Sequence, residues 1–131
     1  MKKISLFTKL TFYFSNVTLL ILYLYPGSII GWLMYDDFQK QPNITSNFIV
    51  SSNHVYAFLI LTILGVFSFE KNKAKILFIY LFSISIILEL CHRIIPKRSF
   101  EYSDLFGNFF GVLLVFLVFN FYQYFKNQKW I

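Results

Sequence analysis

Ile76-Leu77-Phe78-Ile79-Tyr80-Leu81-Phe82-Ser83-Ile84-Ser85-Ile86-Ile87-Leu88-Glu89-Leu90-Cys91-His92-Arg93-Ile94-Ile95 is the stretch on which the fold turns. No charge interrupts it before Glu89. A bilayer core about 30 Å thick takes roughly 20 apolar residues per helical crossing, and this run has that length. Its β-branched residues would suit a strand in water. The run lacks the alternation of a membrane barrel, so a helix that satisfies its own backbone is the expected form.

Working outward, the same pattern recurs. After the run, Pro96 to Ser103 form a short polar turn before a further apolar block at residues 104–125. Before it, the basic turn Glu70-Lys71-Asn72-Lys73-Ala74-Lys75 follows a block at residues 52–69. A first block at residues 6–25 is stopped by Pro26-Gly27; no small-x-small cleavage site follows it, so it is read as an uncleaved helix. Between the first two blocks, Ser28 to Tyr35 is apolar but too short to cross. It leads into the polar loop Asp36 to Asn43, long enough to hold a short interfacial helix with Trp32 and Tyr35 as aromatic anchors. The expectation is an all-α membrane bundle of four transmembrane helices in a single domain, residues 1–131.

Composition agrees. Of 131 residues, 57% are hydrophobic and only 14% charged, against roughly 25% charged in a soluble domain. The net charge of +6 would invite a nucleic-acid reading, but the lysines and arginines sit between apolar blocks and report topology instead. With both termini cytoplasmic, that side holds Lys2, Lys3, Lys9, Lys71, Lys73, Lys75, Lys126 and Lys129, and the other holds Lys40, Arg93, Lys97 and Arg98. This bias favours N-in, C-in. The single cysteine, Cys91, excludes an internal disulfide.

This topology sorts the polar residues. His54 opens the second span, Glu89 and His92 close the third, Arg98 lies in the turn, and Asp104 and Asn108 open the fourth. All six fall at the outward-facing end. Glu89, His92 and Arg93 share a helical face by their spacing. A carboxylate at the depth of Glu89 costs several kcal/mol unpaired, so Arg98, His54 or Arg93 is its expected partner. Structural ion pairs, with Asp104 as a helix N-cap, would produce the same pattern. Histidine and carboxylate are zinc donor types, yet these come from three helices without diagnostic spacing, and neither metal nor cofactor is expected. Gly27-x-x-x-Gly31 and Gly107-x-x-x-Gly111 have the small-residue spacing that lets helices approach closely.

The stretch from Glu89 to Gly111 resembles the signature of the VanZ-like membrane proteins. Glu89 and His92 stand where that family shows a Glu and, three positions on, a Gln. Pro96-Lys97-Arg98 matches its Pro-x-Arg turn, Asp104 its Asp, and Asn108 with Gly111 its Asn and following Gly. His54, with Val55-Tyr56-Ala57-Phe58, matches a His at the start of the preceding helix. The chain departs from the family at His92 and at Val50-Ser51-Ser52-Asn53, where an acidic-basic pair is usual. The resemblance implies a bacterial inner-membrane protein of the cell envelope, in a family whose namesake is associated with low-level teicoplanin resistance. The lead expectation is that the outer cluster binds a polar or anionic lipid or glycolipid headgroup, with Arg98 on a phosphate or carboxylate. The alternative is a non-catalytic accessory subunit of a larger membrane complex, its aromatic surface facing lipid or partner proteins.

Overall fold

The computed structural model describes residues 6–47 and 49–128. Lys2, Lys3 and Lys129, which contribute to the charge bias, lie outside the described residues. Five α-helices account for the fold, and there is no strand among the described residues. They are α1 (Leu6–Leu24), α2 (Ile29–Tyr35), α3 (Ser52–Ser68), α4 (Ala74–Cys91) and α5 (Tyr102–Gln128). A single 3-10 turn, Lys71–Lys73, joins α3 to α4. Three stretches are long and apolar enough to cross a membrane, Leu6–Leu24, Lys71–Cys91 and Tyr102–Asn127; α3 is apolar but has 17 residues.

α3 lies at the centre. It packs most extensively on α5, then on α1. The α3–α5 pair runs parallel and depends on two glycines. A Cβ at Gly107 would sit 2.8 Å from the Ser51 carbonyl oxygen, and one at Gly111 would sit 2.6 Å from that of Val55. Backbone therefore rests on backbone, as expected of this motif. α1 runs antiparallel to α3. The Ser68 hydroxyl donates to the Thr8 carbonyl at 2.8 Å near one end, and Tyr23 meets His54 near the other. Phe58, Leu61, Leu77, Leu81 and Val112 fill the centre. Large apolar side chains such as Phe14, Ile76, Val118 and Phe121 cover the perimeter, a surface suited to lipid and costly in water.

Gly27-x-x-x-Gly31 does not pack helices together. Gly27 has φ +99° and forms the turn after α1, a conformation glycine adopts without a Cβ penalty. Gly31, within α2, lies against the returning loop, where a Cβ would approach the Asp37 carbonyl at 2.9 Å. α2 is the short helix expected between the first two blocks. Ser28 caps it, accepting from the Gly31 N–H at 2.9 Å.

α4 ends at Cys91, four residues short of the expected boundary. Pro96 lacks an N–H and biases the residue before it away from helix. The backbone tightens ahead of it into i−3 bonds, His92 to Glu89, Arg93 to Leu90 and Ile94 to Cys91. Lys97 then turns the chain with φ +61°. As a result Arg93 leaves the face of Glu89 and lies 4.4 Å over the Phe100 ring. α5 begins two residues early, which puts Asp104 inside its first turn and not at the N-cap.

Candidate ligand-binding site at one end of the bundle

Four helix ends converge. Tyr23 is in the last turn of α1, His54 in the first of α3, Glu89 in the last of α4, and Asp104 and Asn108 are in the first turns of α5. His92 follows α4 directly, and Arg98 reaches in from the turn. All six residues expected from the sequence therefore meet at one end, and Tyr23 joins them.

Asn108 is fully buried and organises the centre. Its Nδ2 donates to the Ser85 carbonyl at 3.1 Å, which turns Oδ1 towards the Tyr23 hydroxyl at 2.6 Å and His54 Nδ1 at 2.9 Å. The Tyr23 hydroxyl is itself 2.9 Å from Nδ1. The second histidine is held by backbone: His92 Nε2 is 3.0 Å from the Tyr23 carbonyl oxygen, and its ring stacks on the Tyr23 ring at 5.7 Å.

The carboxylates complete the cluster. Glu89 is fully buried. Its Oε1 accepts the Glu101 backbone N–H at 3.0 Å, and its Oε2 faces His92 Nδ1 at 3.1 Å. Asp104 Oδ2 lies 3.4 Å from His54 Nε2. The local partner of Glu89 is thus His92, with neither Arg98 nor Arg93 in an ion pair with it. Arg98 instead ties the turn to α1, donating from Nη2 to the Leu22 carbonyl at 2.6 Å and from Nε to that of Tyr25 at 3.2 Å. Partial burial pushes its pKa below the ordinary arginine value, but the group stays cationic.

Two cavities adjoin the cluster. One, about 480 Å³, is walled chiefly by apolar residues of α1, α2 and α3, among them Leu22, Ile29, Met34 and Ile60. Its floor is the segment Gln41 to Ile44, held by Asn53, which donates to the Pro42 carbonyl at 2.6 Å and accepts from the Ile44 N–H at 2.9 Å. The other, about 260 Å³, is polar, with Lys97, Ser99, Glu101 and Asp104 on its walls. Ser28, Gln41, His92 and Arg98 border both.

Sequence reasoning missed Tyr23, Ser85 and Ser28. A tyrosine near a span end reads as an interface anchor, and nothing in its neighbours marks it as a hydrogen-bond hub. No protein-family model, curated protein or solved structure matches the chain.

Proposed function

We propose that the chain is a VanZ-like four-span protein of the bacterial cytoplasmic membrane, whose polar end binds an amphiphile with an anionic headgroup. The four-span reading is supported by α3 covering the length of α1, from the Thr8–Ser68 contact to the Tyr23–His54 contact. A helix packed along the full length of a crossing helix crosses with it. The Lys and Arg bias then puts both termini in the cytoplasm and the cluster at the outer face. The family resemblance rests on His54, Glu89, Pro96, Arg98, Asp104, Asn108 and Gly111, and gives the envelope location.

The observation that carries the ligand reading is the shared wall. Arg98 and His92 border an apolar cavity on one side and a polar pocket on the other. An acyl or prenyl chain suits the first, and a phosphate or carboxylate headgroup suits the second. Two of the guanidinium's five N–H groups go to α1 carbonyls, which fixes the plane of the cation beside the pocket. Among the described residues no serine or cysteine at the seam is paired to a histidine and an acid, so the role proposed for the site is binding.

The test is mild detergent extraction followed by native mass spectrometry. The wild type should retain a lipid or lipid-linked glycan in fixed ratio. Arg98→Gln should lose it, and Arg98→Lys should keep it in part. Equal retention by all three would overturn the headgroup site. A stoichiometric protein in place of a lipid would favour the accessory-subunit reading.

A further inference from the structure

The geometry assigns a divalent-cation site to His54, Glu89 and Asp104, three side chains from three different helices. One ligand atom from each lies within 4.8 Å of the others. His54 Nε2 and Asp104 Oδ2 are already 3.4 Å apart. That is about the tetrahedral edge spanned by an ion with bonds near 2.1 Å.

The histidine is prepared for the role by its second nitrogen. The Ser85 carbonyl fixes the Asn108 amide with Oδ1 towards α3. Nδ1 of His54 therefore faces Asn108 Oδ1 at 2.9 Å and the Tyr23 hydroxyl at 2.9 Å. That hydroxyl gives its own proton to Oδ1, so both neighbours are acceptors and the ring proton belongs on Nδ1. In the neutral ring, Nε2 then presents a lone pair to the Asp104 carboxylate. A lone pair aimed at an anion is repulsive unless a proton or a metal ion lies between them. Donation of the remote ring N–H to a fixed oxygen is also the arrangement that orients a metal-ligating imidazole.

Charge leads to the same site. Glu89 is fully buried and Asp104 largely so. Among the described residues neither is paired with a lysine or arginine; their ion-pair partners are histidines. Arg98 commits two of its five N–H groups to α1 carbonyls and forms no ion pair with either carboxylate. Glu89 Oε2 is buried and has no aligned hydrogen-bond donor, although His92 Nδ1 is close. One dication would balance both carboxylates and occupy this oxygen. His92 is not a ligand in this assignment, because the group of mutually close donor atoms is formed by His54, Glu89 and Asp104 without it. The donor set of one imidazole and two carboxylates suits Zn²⁺ or Mn²⁺ over Ca²⁺, which prefers oxygen alone. The assignment does not depend on the headgroup reading.

The experiment uses the full chain in detergent, stripped with chelator and exposed to Zn²⁺ or Mn²⁺ alone. The wild type should retain about one ion per chain after desalting, with micromolar or tighter affinity. His54→Gln and Asp104→Asn should each weaken this at least tenfold, and Glu70→Gln, exposed beside the turn at the far end of the bundle, should leave the stoichiometry unchanged. Pulsed electron paramagnetic resonance of the Mn²⁺-loaded wild type should show a single directly bound imidazole nitrogen, a readout independent of whether the variants fold. Absence of a retained ion would overturn the site, as would a spectrum without bound nitrogen or equal retention in His54→Gln. The pairs would then be imidazolium–carboxylate contacts.

Discussion

The Tyr23 hydroxyl lies 2.6 Å from Oδ1 of Asn108, joining α1 to α5 across 85 positions of sequence. The bond matters because Asn108 also donates from Nδ2 to the Ser85 carbonyl of α4 and shares Oδ1 with His54 of α3. One side chain therefore reads the position of all four long helices. In an apolar interior, each polar group left unmatched costs about 1–3 kcal/mol, so the network is a register device as well as a polar lining.

Asn108→Ala should accordingly lower unfolding stability in detergent by about 2–3 kcal/mol, because it removes the Oδ1 shared by Tyr23 and His54 and the donor to the Ser85 carbonyl together. Tyr23→Phe removes one hydroxyl and should cost about 1 kcal/mol. The double variant should cost clearly less than the sum, since the two side chains are in contact. Additive losses in a thermal melt would show that they act separately.

A second prediction contrasts two glycines of similar burial. At Gly111 an added methyl meets the Val55 carbonyl oxygen at 2.6 Å and the Leu59 nitrogen at 2.9 Å, both backbone. At Gly65 it meets the ends of Leu77 and Phe12 side chains at about 3.0 Å. Side chains can move by a few tenths of an ångström, but a packed helix backbone cannot move without separating α3 from α5. Gly111→Ala should therefore cost more than about 2 kcal/mol, within the range of overpacking, and Gly65→Ala distinctly less. Melting temperatures of the two single variants decide it; equal shifts would count against backbone contact in the α3–α5 seam.

The sequence made some of this arrangement legible and hid the rest, for identifiable reasons. Apolar block length exposed the long helices, and the Gly107–Gly111 spacing exposed a close approach of α5 to a neighbour without saying which, because both are one-dimensional patterns. The same spacing misled at Gly27 and Gly31. There the glycines serve a positive-φ turn and a loop approach, which four-residue periodicity does not distinguish from helix packing. His54, Glu89, His92, Arg98, Asp104 and Asn108 were found because polar residues at span ends are few. Their pairings were not readable. The i−3 tightening before Pro96 swings Arg93 out and His92 in, a displacement of a few residues with no sequence marker beyond the proline itself. Tyr23 stayed hidden because its role depends on three other helices.

Asp36 gives a local prediction. It ends α2 with φ 54°, a left-handed conformation that costs an ordinary side chain roughly 1–2 kcal/mol, less for Asp, and that glycine adopts freely. Its N–H donates to the Trp32 carbonyl at 2.8 Å, a bond that glycine would keep. Asp36→Gly should raise stability by up to about 1 kcal/mol, and Asp36→Val should lower it by at least as much. Protection of the α2 amides in hydrogen exchange should follow the same order; a loss of protection in the glycine variant would mean that the carboxylate itself holds the turn.

The span count can be tested at two lysines. α3 has 17 residues, about 25 Å of helix, somewhat short of a hydrocarbon core of about 30 Å, although bilayers thin locally around short spans. If α3 crosses, the loop bearing Lys40 and the turn bearing Lys73 lie on opposite faces; if it does not, they share a face. Replacing Cys91 by serine removes the one native thiol, after which Lys40→Cys and Lys73→Cys supply single labelling sites. Lys40 is exposed, with its side chain in a loose 3.8 Å pair with Asp37, and Lys73 is exposed in the 3-10 turn, so burial will not mask either site. In intact cells an impermeant maleimide should label position 40 and spare position 73 until the membrane is opened. The reverse pattern would invert the orientation and put the His54–Asp104 cluster on the cytoplasmic side. Labelling of both would remove α3 from the spans, in conflict with its packing along α1 from Thr8 to Tyr23.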